Sequence, residues 1–179
     1  MISNRQRRVR VAVKPLEEFL QRVQQTLRLA EYEVTVRLVS DAAIARMNQG
    51  FRGKRGPTDV LSFPADGKPR MAQGQETIKT QRTPGIQRTQ RAPRTRSSQE
   101  NDGATELSSF TSSTSYLGDI AISPETARRN ARRSSRALPQ ELRILILHGM
   151  LHLAGYDHET DDGEMDRLER HLRRRLGLS

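Results

Sequence analysis

Apolar and polar residues alternate along four short stretches of the chain, as they do in half-buried strands. The predicted strands are Val9 to Val13, Val34 to Leu38, Val60 to Phe63 and Tyr116 to Ile122. Five other segments combine helical spacing of apolar residues with helix-start residues. The predicted helices are Leu16 to Ala30 after Pro15, a short helix capped by Asp41, an arginine-rich helix after Ser123 and Pro124, a helix from Pro139 to Ala154, and a last helix opened by Asp161 and Glu164. The order βαβαββααα predicts an α+β fold with a small mixed sheet packed against helices.

Residues 66–115 lack this patterning. Only 8 of these 50 residues are hydrophobic, too few to offset the entropy lost on ordering the segment. We therefore predict one domain over residues 1–179 that contains a disordered, low-complexity insertion at 66–115.

The amino-acid composition limits which partners and which metal ligands the chain can have. The chain has 31 Lys and Arg against 21 Asp and Glu, a formal charge of +10 that favours a polyanionic partner. No apolar run reaches the roughly 18 residues of a membrane helix, and no signal-type segment follows the N-terminal arginines, so we expect a cytoplasmic protein without a membrane partner. The absence of cysteine excludes disulfides and sulfur ligands, so that a metal site would need histidine, carboxylate and water.

Three of the four histidines fall within eleven residues. His148 and His152 share one face of a helix that is apolar nearly all round, and Gly155 offers a helix end from which the chain can bring His158 to the same ion. The spacing H-x-x-x-H-x-x-G-x-x-H is that of the zinc motif in metzincin peptidases. Three histidines on zinc leave a coordination position open, which is typical of catalytic sites. The remaining histidine, His171, is predicted to lie on an exposed helix face and not to be a ligand.

The motif departs from that of a zinc peptidase at one position. The residue after the first histidine is the glutamate base in those enzymes, and here it is Gly149. The departure favours phosphodiester chemistry, in which a metal ion and a cation neutralise developing charge.

The histidine run resembles that of the YbeY family of bacterial zinc-dependent endoribonucleases, also called rRNA maturation factors. Three upstream stretches share the resemblance: Phe51-Arg52-Gly53-Lys54, Pro57 to Pro64, and Leu117-Gly118-Asp119-Ile120. It implies a single-strand-specific endoribonuclease that acts in 3′-end maturation of 16S rRNA and in ribosome quality control, with single-stranded RNA, 16S rRNA and ribosomal particles as partners. It also implies one zinc ion per chain, bound by His148, His152 and His158, and a functional arginine at Arg52.

Arg52 is hypothesised to bind the scissile phosphate or to stabilise its transition state. A second basic feature lies on the arginine-rich helix, for which we favour contact with RNA phosphates over a merely solvated face. Its residues are Arg128, Arg129, Arg132, Arg133 and Arg136.

Two other functions stay open from the residues themselves. One is a zinc metallopeptidase whose base comes from elsewhere, against which Gly149 counts. The other is a non-enzymatic ribosome assembly factor with structural zinc, against which the absence of an obvious fourth ligand counts.

Overall fold

The computed structural model describes residues 1–65, 115–157 and 161–178 of the 179. The strands are β1 (Ile2–Asn4), β2 (Tyr32–Leu38), β3 (Val60–Pro64) and β4 (Ser115–Ile122). The helices are α1 (Lys14–Thr26), α2 (Asp41–Arg52), α3 (Pro124–Arg133), α4 (Leu138–Leu153) and α5 (Glu164–Arg175). The predicted element order and the α+β class are confirmed.

The four strands form one mixed sheet in the order β1-β2-β4-β3. β2 pairs in parallel with β1 and with β4, whereas β3 pairs antiparallel with β4. β3 therefore lies at an edge of the sheet.

The predicted strand at Val9 to Val13 is wrong, because the first strand is Ile2–Asn4. Val9 is buried, but its N–H and C=O are bonded at 2.9 and 2.8 Å by the side chain of Gln6 and not by a neighbouring strand. The alternating valines reflect packing of an irregular segment against the core.

The main core lies between one face of the sheet and helices α1, α4 and α5. Val34, Val36 and Leu38 of β2 point into it, as their alternation predicts. α4 is buried on most sides, as its sequence predicts. A smaller apolar cluster joins α2 to the other face of β3 and β4 through Val39, Ile44, Leu61 and Ala121.

Two predicted helix caps differ in detail. Ser40, not Asp41, caps α2, and its hydroxyl accepts from the Ala43 N–H at 3.3 Å. Asp161 stands before the first turn of α5, where its carboxylate accepts from the N–H of Gly163 and of Met165 at 2.8 and 2.9 Å. Asp41 instead accepts from the hydroxyls of Ser123 and Thr126 at the start of α3.

The predicted insertion falls between the antiparallel neighbours β3 and β4. Ser115 belongs to β4, so the predicted boundary is one residue too long. The two flanking segments lie side by side, since the Ala65 N–H donates to the Leu117 carbonyl at 3.0 Å. Residues 66–114 lie outside the described residues, so their predicted disorder stays a prediction. Within the described ranges, no helix is long and apolar enough to cross a membrane.

Candidate active site

His148 and His152 project from one face of α4, one helical turn apart. Their rings meet edge to face with centroids 4.7 Å apart, and the two Nε2 atoms are separated by 3.1 Å. Both side chains are half-buried at the wall of a cleft. The predicted convergence of these two imidazoles is therefore present.

Glu169 of α5 fixes which nitrogen of the His148 ring faces the cleft. Its Oε2 lies 3.0 Å from His148 Nδ1, and its other oxygen pairs with the Arg173 guanidinium. Burial raises the pKa of the Glu169 carboxyl, but the hydrogen bond from His148 and the charge of Arg173 together lower it by more than burial raises it. The net pKa is therefore below its ordinary value. An ionised carboxylate only accepts, so His148 Nδ1 carries a proton and Nε2 is the nitrogen left to face a metal ion.

The histidine pair fits a zinc ion. Two nitrogen ligands at 2.0–2.1 Å from a tetrahedral zinc are separated by roughly 3.3 Å. The Nε2 atoms are already 3.1 Å apart, so small side-chain rotations would suffice. A carboxylate on the distal nitrogen of a ligating histidine is also the usual support for such a ligand.

The end of α4 directs the following residues back to the cleft. Gly155 has a φ of 94°, the Gly155 N–H donates to His152 O at 3.0 Å, and the Tyr156 N–H donates to Leu151 O at 3.1 Å. This is the Schellman helix end that the sequence predicts. Tyr156 and Asp157 then line the cleft. His158 lies outside the described residues, and no group of three potential metal ligands occurs within them.

Arg52 also lines this cleft. It is the last residue of α2, which ends because Gly53 adopts a left-handed φ of 65°. The cleft has a volume of about 660 Å³ and takes in Arg52 and both histidines. Three of the four predicted site residues thus share one cleft.

The edge strand β3 forms the cleft floor. Asp59 O accepts from Ser123 N and Ala65 N donates to Leu117 O, so the intervening residues Val60 and Ser62 turn their backbone groups away from β4. The Ser62 hydroxyl donates to the Gly149 carbonyl at 3.3 Å. An open strand edge beside paired histidines offers backbone donors and acceptors to an extended substrate.

Asp59 is a cleft carboxylate that holds the surrounding structure together. Its oxygens accept from the Thr58 hydroxyl at 3.2 Å, from the Val60 N–H at 2.9 Å and from the Asn130 amide at 3.0 Å. The last bond ties α3 to the cleft wall.

The packing around Gly149 leaves no space for a glutamate directly after His148. A Cβ at this position would lie 2.9 and 3.0 Å from two side-chain atoms of Ile120 and 3.2 Å from the Ser62 hydroxyl. α4 packs directly on β4 and β3 here, so there is no room for the side chain of a peptidase base.

Other charged residues have structural partners. Asp119 lies 3.1 Å from Arg37 of the neighbouring strand and does not line the cleft. Within the predicted basic stripe, Arg129 pairs with Asp41 and Arg136 pairs with Glu141, each at 2.8 Å. The stripe is thereby reduced to Arg128, Arg132 and Arg133, all exposed.

Glu169 is a functional residue that the sequence analysis does not identify. A signal exists: Met165, Glu169 and Leu172 follow helical spacing, which places a carboxylate within the apolar stripe of α5. A buried carboxylate needs a partner, and here it has His148 and Arg173.

The α+β fold brings paired imidazoles, an arginine and an open strand edge into one cleft, an arrangement that suits a hydrolase for an extended polyanion. The sequence profile described as "Endoribonuclease YbeY" matches residues 1–177. The chain belongs to the endoribonuclease YbeY family, and the enzyme class predicted from the sequence, a nuclease that hydrolyses RNA, is confirmed.

Curated relatives named "Endoribonuclease YbeY" support this assignment. The protein from Nautilia profundicola is 31% identical over 84% of this chain and 76% of its own length. The proteins from Nitrobacter hamburgensis and Solibacter usitatus are 38% and 48% identical over 82% and 79% of this chain. This chain spans only 59% and 64% of those two proteins. A solution structure from Thermotoga maritima has a TM-score of 0.54 and 25% identity and covers 98% of this chain and 89% of that one.

Proposed function

We propose that this chain is a single-strand-specific, zinc-dependent endoribonuclease that acts in 3′-end maturation of 16S rRNA and in ribosome quality control. Its substrates are single-stranded RNA, 16S rRNA and ribosomal particles, and its location is the cytoplasm. The proposal includes one zinc ion per chain held by His148, His152 and His158.

The observation that carries the proposal is the histidine pair with its carboxylate support. His148 Nδ1 lies 3.0 Å from the Glu169 carboxylate and donates to it, so Nε2 is the nitrogen left for a metal ion, and His152 Nε2 lies 3.1 Å from that atom. When bound, zinc would supply Lewis-acid assistance to phosphodiester cleavage. The protein's part is to hold both rings in that orientation beside the cleft floor.

Arg52 is the cation of the proposed mechanism. It lines the same cleft as the histidines, where a guanidinium would bind the scissile phosphate and offset the charge that develops during cleavage. Gly53 ends α2 immediately after this residue and so fixes where the guanidinium enters the cleft.

The exposed face of α3 is proposed to bind RNA outside the cleft. Asn130 attaches this helix to the cleft wall, so a strand leaving the cleft passes the three exposed arginines. Without these three arginines, the fall of log affinity with log salt concentration should be shallower by about 2, at roughly 0.7 per phosphate contact with a single strand. The variant is Arg128→Ala with Arg132→Ala and Arg133→Ala, and its charge-matched control on α5 is Arg170→Ala with Arg174→Ala and Arg175→Ala. Equal salt slopes for both would contradict the proposed surface.

One comparison tests the activity itself. Wild type, His152→Ala and the exposed-histidine control His171→Ala are each incubated with a single-stranded RNA, with its duplex and with casein, and their metal content is measured. We expect wild type and His171→Ala to bind zinc and cut only the single strand, and His152→Ala to lose both zinc and cleavage. Casein cleavage would identify a peptidase, and bound zinc with neither activity would identify a structural site.

The products and a natural substrate refine the result. A 2′,3′-cyclic phosphate end would identify the neighbouring 2′-hydroxyl as nucleophile, whereas a 5′-phosphate with a free 3′-hydroxyl, which a cyclic intermediate cannot give, would identify water. Precursor 16S rRNA, free and within the small ribosomal particle, tests the proposed biological substrate. Cutting of unrelated single strands with the precursor 3′ end left intact would refute the maturation role.

A further inference from the structure

Phe51 is an apolar side chain left in water at the wall of the cleft. It is 73% exposed, and within the described residues only Met1 and Tyr116 are other large apolar side chains classed as exposed. Phe51 lines the cleft, as do Arg52 and both histidines. An aromatic ring exposed inside a cleft that also holds polar groups offers an apolar face to a bound ligand.

The ring is held in place. Phe63 of β3 meets Phe51 edge to face, with centroids 4.7 Å apart and planes at 63°. Phe63 itself packs against the cluster that joins α2 to the sheet. Phe51 stands one residue before the end of α2, whose last turn is closed by the bond from the Gly53 N–H to the Gln49 carbonyl at 3.1 Å. A supported ring on a helix end loses little freedom when a planar partner stacks on it.

The adjacent residue supplies the complementary chemistry. Arg52 follows Phe51 directly, so an aromatic surface and a guanidinium enter the cleft side by side. Nucleotides combine a planar base with a phosphate, and proteins that bind single strands pair stacking aromatics with basic groups in this way.

We propose that Phe51 is the stacking platform for one unpaired RNA base next to the phosphate bound by Arg52, an inference that rests on the proposed function. Stacking needs a base whose face is free, and a duplex keeps its base faces covered by neighbouring pairs. Phe51 therefore makes the cleft selective for single strands, with little preference among the four bases.

Shape and aromaticity are separated by substitution. Phe51→Leu keeps an apolar side chain against Phe63 but removes the aromatic face, whereas Phe51→Tyr keeps the ring. Stacking on one base predicts about tenfold weaker RNA binding, seen as higher KM, for Phe51→Leu, and near wild-type KM for Phe51→Tyr. Tyr116→Leu, an exposed aromatic outside the cleft lining, is the matched control and should leave KM unchanged.

A second measurement does not depend on cleavage. The chain has no tryptophan, so Phe51→Trp would carry the only indole. The zinc-loaded variant is titrated with single-stranded 2′-O-methyl oligoadenylate and with an abasic strand of equal length and charge. Base stacking predicts strong fluorescence quenching by the first and little by the second.

Salt dependence gives a third criterion. Loss of stacking lowers affinity by the same factor at every salt concentration, since no phosphate contact is lost. Equal KM for wild type and Phe51→Leu, or equal quenching by both strands, would overturn the platform while leaving RNA cleavage intact. Quenching of Phe51→Trp by the base-bearing strand alone, together with a wild-type protein that cuts no RNA, would support the platform and refute the proposed function.

Discussion

Replacing Glu169 by glutamine tests the support of the histidine pair. Glutamine has nearly the same shape but no charge, and its amide group can turn a donor toward His148 Nδ1, where the carboxylate now accepts at 3.0 Å. The imidazole then loses its enforced tautomer. Loss of such a carboxylate support usually weakens metal binding 10- to 100-fold, which is about 1.4–2.7 kcal/mol. We therefore expect Glu169→Gln to raise the zinc dissociation constant by that factor.

A second buried carboxylate supplies the control. Glu141 pairs with Arg136 much as Glu169 pairs with Arg173: the acids are 5% and 8% exposed and the arginines 32% and 33%. Glu141 does not line the cleft. Glu141→Gln should cost a similar free energy of unfolding, about 1–3 kcal/mol, without changing zinc affinity.

The assay is zinc competition with a chromogenic chelator, with urea unfolding of the same samples. The expected result is a loss of zinc affinity in Glu169→Gln alone, beside comparable losses of stability in both variants. Equal zinc affinity in the two folded variants would refute the argument that Glu169 orients a ligand.

Three further predictions concern the Arg52 guanidinium, the packing of α4 at Gly149 and the Asp41 carboxylate. Arg52→Ala should keep its zinc content and lose about 10²–10³-fold in RNA cleavage rate, whereas the exposed α2 variant Arg46→Ala should cleave normally; equal rates for both would remove Arg52 from the mechanism. Gly149→Ala should lower the free energy of unfolding by about 1–2 kcal/mol because its Cβ meets atoms at 2.9 Å, whereas Gly50→Ala, with no atom within 4 Å of the added Cβ, should raise it in urea titrations. Burial raises the pKa of Asp41, but hydrogen bonds from Ser123 and Thr126 and the charge of Arg129 together lower it by more, so the net pKa is below its ordinary value. A lowered folded-state pKa means that this stabilisation is complete above about pH 4 and is lost as pH falls toward the folded-state pKa, so Asp41→Asn should flatten the acid side of the stability profile. Parallel acid profiles of wild type and Asp41→Asn would contradict it.

Local patterns predicted most of the elements because periodicity and caps act over short distances. α4 spans Leu138–Leu153, against a predicted Pro139 to Ala154, and Gly155 follows its end as the sequence indicates. The first strand was misplaced because the valines from Val9 to Val13 alternate without a partner strand, while Ile2–Asn4 is a strand only through its pairing with β2. Which segment pairs with β2 is a tertiary property that alternation does not contain.

The candidate site divides in the same way. The spacing of His148 and His152 predicted their convergence, because residues four apart share a helix face. Glu169 lies 21 residues beyond His148, and only the packing of α5 brings them together. The sequence identifies Phe51 only as part of a motif shared with the family. Its exposure follows from where α2 ends relative to the sheet, which the sequence alone does not specify.

The packing of α4 connects the fold to the type of chemistry. Two glycines let this helix lie against the sheet: Gly149 contacts Ile120, and Gly118 of β4, with a φ of 142°, would place a Cβ 2.9 Å from Leu153 and 2.3 Å from the Phe63 carbonyl. A side chain at either position would push α4 away from β3 and widen the cleft between His148 and the strand edge. The close approach that sets the width of the cleft is therefore the same contact that excludes a glutamate after His148. In this packing a glutamate directly after His148 and the observed cleft are incompatible, which counts against a peptidase base at that position.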